Sequence, residues 1–124
     1  MLTKTHANQY NSKVLPFKDG ICAIYTIKNR TADEKLGRFD FREETIGIQA
    51  FTEFQNLGIQ IDKVISIPVN TVAEIGRIVR INQEPNFYQI SMIQRKDTNI
   101  PTALRLTLTK TNIKWEGGED DQLF

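Results

Sequence analysis

Few residues in this chain have the chemistry to act on a substrate, and their spacing gives none of them a partner. Cys22 is the only cysteine and His6 the only histidine. A lone thiol forms no internal disulfide and no Cys-rich metal site, and a lone imidazole excludes a multi-histidine site. Cys22 sits in a strand that reads as apolar on both faces, so it is expected to be an inert core thiol. His6 lies in a polar stretch with no ligand at metal spacing. Glu43 and Glu44 are adjacent carboxylates, but neighbours on a strand point to opposite faces and cannot share a proton. Asp120 and Asp121 lie in a polar tail with no pocket to raise a pKa. Gly117 and Gly118 follow no strand-to-helix pattern, so they cradle no phosphate. Asn29-Arg30-Thr31 has the form of a glycosylation sequon, but the first 20 residues lack the apolar stretch of a secretion signal. These residues point to a binding or structural module rather than an enzyme. They imply no cofactor and no metal.

Charge is laid out unevenly. Residues 1–62 carry 8 basic and 8 acidic groups, residues 63–114 carry 8 and 3, and residues 115–124 carry 4 acidic groups alone. Between Arg42 and Lys63 there is no cation in 20 residues. That stretch holds Gln49, Thr52, Gln55, Asn56 and Gln60, with Glu43, Glu44, Glu53 and Asp62 as its charges. A surface that holds nucleic acid is lined by cations, because neutralising phosphates releases counterions and supplies affinity. A surface that DNA slides past should lack them. An uncharged helix packed on the body is the plainer reading. The basic second half (Arg77, Arg80, Arg95, Lys96, Arg105, Lys110, Lys114) with Phe87 and Tyr88 raises a single-stranded nucleic-acid-binding barrel as the alternative. Phe87 and Tyr88 are adjacent, however, and must face opposite ways, and the formal net charge is only +1. Trp115, the only Trp, either closes the end of the body or anchors a contact between subunits, a role in which Trp is enriched.

The elements that must position these residues are mostly strands. The chain has 16 Ile, 5 Val and 12 Thr against 8 Leu and 6 Ala. β-branched side chains lose rotamer freedom in helices and pack well on pleated sheets. Strands are expected at 20–28, with both faces apolar, and at 38–46, with Phe39 and Phe41 inward. Further strands are expected at 59–67, 77–82, 87–94 and 103–110, the last with Leu104, Leu106 and Leu108 inward. Asn29 to Gly37 reads as a charged loop. In 49–57, Ala50, Phe54 and Leu57 stand at helical spacing and Gly58 supplies a stop, which predicts one short helix, with a continued strand as the rival because Ile46, Ile48 and Ala50 also alternate. The expected fold is all-β, a small β-barrel of about six antiparallel strands with one short helix between the second and third. It comprises an N-terminal arm (1–18), the barrel domain (19–114) and an acidic tail (115–124). At 124 residues, 40% apolar and 25% charged, this is the profile of one soluble globular domain. No apolar run is long enough to span a membrane as a helix.

Three stretches carry a resemblance. FREETIGIQAFTEFQNLGIQIDKVISIP (41–68), RIVRINQEPNFYQISMIQ (77–94) and KDTNIPTALRLTLTK (96–110) resemble, in order and spacing, the head-completion proteins of long-tailed bacteriophages. These are also called head-closure, stopper or head–tail joining proteins, and the Firmicutes phage and prophage type is the most similar. GICAIYTIKN (20–29) is consistent with it. The turn QEPN and the cation-free Ser66-Ile67-Pro68 depart from the family pattern.

The resemblance implies a non-enzymatic virion protein of the head–tail neck, present in the host cytoplasm during assembly. It implies a homo-oligomeric ring, typically a dodecamer, with the phage adaptor protein above and the tail or tail-terminator protein below. The ring closes the DNA channel after packaging, and double-stranded DNA passes without sequence-specific binding. The family's gate falls on residues 46–60, so Gln49, Thr52, Glu53, Gln55, Asn56 and Gln60 become the candidate channel-facing residues. Arg95, Lys96, Trp115, Glu119, Asp120 and Asp121 become candidates for contacts within or between rings. The free protein is expected to be mainly monomeric. A tail-terminator-like neck ring is a further alternative.

Overall fold

Residues 13–115 are described in a computed structural model. In chain order the elements are β1 (Lys13–Val14), β2 (Gly20–Lys28), β3 (Thr31–Glu44), α1 (Ile48–Asn56), β4 (Lys63–Pro68), β5 (Ile78–Ile81), β6 (Asn86–Lys96), β7 (Asn99–Ile100) and β8 (Ala103–Lys114). Six strands form one antiparallel sheet in the order β2-β3-β4-β8-β6-β5, and β5 pairs back onto β2, so the sheet closes in a ring. Closure removes the free edges that an open sheet of this size would present. The mostly β fold, the six-stranded sheet and the short helix between its second and third strands are as the alternation predicts.

Alternation builds two cores. Cys22 and Ile24 on β2 point inward with Phe41, Ile65, Ile67, Val79, Ile81, Ile90, Leu104, Leu106 and Leu108. Each such side chain contributes roughly 1.5–3 kcal/mol when fully buried. The other face of β2 carries Ala23 and Tyr25, which join Ile78 and Phe87 in a second cluster outside the ring, with Ile113 and Trp115 packed against it. The apolar reading of both faces of β2 therefore holds, and Cys22 is fully buried. Burial first, then the charge of Asp40, pushes its thiol up to about 12.

Several boundaries differ from expectation. The segment read as a charged loop after Lys28 is a two-residue turn at Asn29 and Arg30 followed directly by β3. Both turn residues have positive φ (53° and 64°), the backbone whose twist suits a tight hairpin. Its strand was hidden because no residue in the first half of β3 is fully buried, so no apolar alternation marks it. The strand expected from residue 59 begins at Lys63. Residues 59–62 instead form a connector: Asp62 donates its N–H to the Leu108 carbonyl (2.9 Å) and accepts from the Lys110 N–H (2.7 Å).

Of the predicted arm, residues 1–12 lie outside the described residues. Residues 13–19 are ordered because β3 and β7 hold them. β1 pairs in parallel with β7, Arg42 donates to the Leu15 carbonyl (2.8 Å), and the Arg42 guanidinium lies 5.3 Å from the Phe17 ring centre. Between β4 and β5, Asn70 folds the chain by accepting from the Val72 and Ala73 N–H groups (both 2.9 Å). Val72 and Ala73 thereby pack against the inner core.

Candidate functional site

The cation-free stretch forms a finger. Gly47 is the N-cap of α1 and has no side chain to cap with, so the first turn rests on the Phe51 N–H to Gly47 carbonyl bond (2.9 Å). At the other end Gly58 takes φ +79°. Its N–H reaches the Gln55 carbonyl (3.0 Å), and the Ile59 N–H reaches the Phe54 carbonyl (2.9 Å). That bond pair is a Schellman stop, which favours glycine at its left-handed position. The sequence therefore supplies both ends of the helix. Each flanking glycine faces open space where a Cβ would sit.

No residue of α1 is buried. Ala50, Phe51 and Phe54 are half-buried and mark the inner stripe. Gln49, Thr52, Glu53, Gln55 and Asn56 are all exposed, as their spacing predicts, so the structure brings five of the six candidate finger residues onto one projecting element. Two large apolar residues at its ends are also exposed, Ile48 at 86% and Leu57 at 72%. Gln60 belongs to the foot of the finger instead. Its amide donates to Asp62 (3.0 and 3.2 Å) and its carbonyl accepts from the Thr109 hydroxyl (2.7 Å). The foot is anchored while the helix stands off the sheet.

Among the described residues, the candidate contact residues Arg95 and Lys96 do not converge with Trp115. Arg95 and Lys96 end β6 opposite Leu104 and Ala103, at the Pro68 end of β4, whereas the finger leaves from the Lys63 end. Arg95 is exposed, but Asp97 takes its Nε–H at 2.7 Å, and Lys96 is half-buried. Trp115 does not pack against the inner core, so the expectation that it closes the end of the ring is corrected: it covers the outer cluster. β8 outruns β4 by several residues while staying paired with β6 to Lys114, and this carries Ile113 and Trp115 onto the outer cluster. Tyr25 and Phe87 meet edge to face at 5.2 Å, and Trp115 lies 6.1 and 6.3 Å from them. The Arg80 guanidinium stacks on Trp115 at 4.2 Å while donating to the Glu84 and Gln83 carbonyls (3.0 and 3.2 Å). Glu119, Asp120 and Asp121 lie outside the described residues.

The two carboxylates Glu43 and Glu44 have separate structural roles. Glu43 pairs with Lys63 (3.4 Å). Glu44 accepts from Arg42 (2.7 Å) and from the buried Ser66 hydroxyl (2.6 Å). Burial works to raise the Glu44 pKa, but the bonds from Ser66 and Arg42 outweigh it and hold the carboxyl below its usual value. Sequence reasoning missed this cluster and the Arg80–Trp115 stack. The available signal was the place of Arg80 between Val79 and Ile81 in a short apolar strand, which sequence reasoning left unused.

The aromatic pair considered for base stacking is not available on the surface. Phe87 is fully buried in the outer cluster and Tyr88 is buried in the inner one, its hydroxyl 3.3 Å from Glu84. Among the described residues no cluster of three or more His, Cys, Asp or Glu is placed to hold a metal ion. Compared with known proteins, the chain matches no family model, no curated protein and no solved structure.

Proposed function

We propose that this chain is a head-completion protein of a long-tailed bacteriophage or prophage, a neck component that rings the DNA exit and closes it after packaging. The observation that carries the reading is the finger. A closed sheet holds out a glycine-flanked helix with no cation between Arg42 and Lys63 and no buried residue. A rigid body supplies position, and an element with few tertiary contacts has the low local stability that a moving gate requires. Gln49, Thr52 and Asn56 offer DNA a neutral polar surface, and no cation between Arg42 and Lys63 is there to grip it. Repeating the chain around a ring sums contacts that are weak in any one pair. In this reading the adaptor protein lies above the ring and the tail or tail-terminator protein below it, in the virion neck.

Deleting residues 50–57 in the encoding phage should give heads that package DNA and then lose it. Heads that retain their genome would refute the gate. A second variant leaves the fold intact. Gln49→Lys with Asn56→Lys should keep the genome in the head but slow its ejection. Unchanged ejection would remove the role given to the missing cations.

A further inference from the structure

Glu53 and Leu57 stand four residues apart on one stripe of the finger, one acidic and one apolar. Both are exposed, and Glu53 has no ion pair among the described residues. Elsewhere on the chain a groove runs between the β2–β3 hairpin and the C-terminal end of β8 beside β6, lined by Ile27, Arg30, Gln89, Thr111, Asn112 and Ile113. Ile27 is 41% exposed there. Arg30 is exposed at the turn and has no ion-pair partner among the described residues; Lys28, Lys110 and Lys114, exposed on the same two elements, have none either. The hairpin also carries Asp33, Glu34 and Lys35. With those counted, the hairpin tip (residues 27–35) and the β8 end (residues 110–114) hold five cations and two anions. The finger, over residues 45–62, holds two anions and no cation.

We propose that the Glu53–Leu57 stripe of one copy docks in the Ile27–Arg30–Ile113 groove of a second copy, with Leu57 against the two isoleucines and Glu53 toward Arg30. The two surfaces differ, so the contact is head-to-tail, the kind that closes rings rather than symmetric dimers. The finger's Gln49, Thr52 and Asn56 lie on the remaining stripe and stay uncovered. One flank of a helix this short buries far less than the roughly 800 Å² per partner of a stable pair, so the contact is weak singly and counts only when repeated. The inference rests on the neck reading for its setting, but the contact between copies is tested without a phage.

Purified full-length Leu57→Cys and Ile27→Cys proteins, each retaining the buried Cys22, are mixed under a mild oxidant. Disulfide-linked dimer is then followed on non-reducing gels. The mixture should link faster than either variant alone. Adding Glu53→Lys should slow it about three- to fivefold, as for one exposed charge pair reversed, and Arg30→Glu on the other partner should restore it. Equal or faster linking of Leu57→Cys alone means a symmetric contact and overturns the proposal. So does a mixture no faster than the single variants, or a rate indifferent to both charge changes. Should linking fail while the 50–57 deletion still loses the genome, the docking falls and the gate stands.

Discussion

The inner core of the ring and the finger that leaves it are built from similar residues under opposite rules. Phe41, Ile65 and Leu106 are buried on the inner face of paired strands, each side chain fixed by cross-strand neighbours. Phe51, Phe54, Ile48 and Leu57 belong to a helix with no buried residue. In the ring, stability comes from burial, and backbone bonds follow. In the finger, the backbone is satisfied by its own turn and stop, and burial contributes little. An element of the second kind can change position without unfolding the first.

Truncation tests that contrast most strongly. Phe41→Ala should cost about 3–5 kcal/mol in urea or thermal unfolding, as for a large side chain lost from a packed core. Phe54→Ala should cost about 1 kcal/mol or less, for the part-burial it gives up. Equal losses would mean the finger is part of the core.

Next in size is Gly20, where β2 begins. Its φ of +150° suits only glycine, and a Cβ there would run into the Asn82 side-chain oxygen and lie 2.8 Å from the Phe41 ring. That same oxygen accepts the Ile21 N–H at 3.1 Å. Gly20→Ala should therefore destabilise by about 1–3 kcal/mol in the same unfolding assay. Asn82→Gly in that background should recover part of the loss by removing one of the two obstacles.

A smaller effect separates the strapped outer face from both regions. Glu44 is held below its usual pKa by Ser66 and Arg42, and Arg42 also holds the Leu15–Phe17 strap. A depressed folded pKa means that this stabilisation is complete above the unfolded value near 4.5 and is lost as pH falls through the folded value. Urea midpoints should fall as pH drops below the unfolded value near 4.5, with Glu44→Gln flattening the slope at a cost of about 1–2 kcal/mol near neutrality. The smallest expected change is Gly58→Ala. Its φ of +79° disfavours a Cβ by about 1 kcal/mol although no neighbour blocks one. Amide exchange should quicken over residues 48–59 with the global midpoint nearly unmoved.

What could be read from the chain follows the same division. Alternation in β6 and β8 and the Ala50, Phe54, Leu57 spacing of α1 are local patterns, and they gave the ring and its helix. The turn at Asn29 and Arg30 was missed because no residue of the first half of β3 is fully buried, and its charges mask any alternation. The outer cluster of Tyr25, Phe87 and Trp115 was missed for another reason. Its members come from strands far apart in sequence: Tyr25 and Phe87 meet across β5, and Trp115 joins them because β8 runs on past β4. The Arg42, Glu44 and Ser66 cluster is likewise a product of the β3–β4 register, in which Arg42 stands opposite Ser66. Among the candidate site residues, the finger was legible as a segment because it is continuous. The contact residues were chosen by charge and residue type alone; of those among the described residues, Arg95 and Lys96 stand at one end of β8 and Trp115 at the other.

The most direct test of the central claim is an electron cryomicroscopy reconstruction of the neck of the particle that encodes this chain. The account predicts one ring of copies with residues 48–57 turned toward the symmetry axis and Gln49, Thr52 and Asn56 facing the DNA path. Helices on the outer rim of the ring, or a neck assembled without this chain, would contradict it.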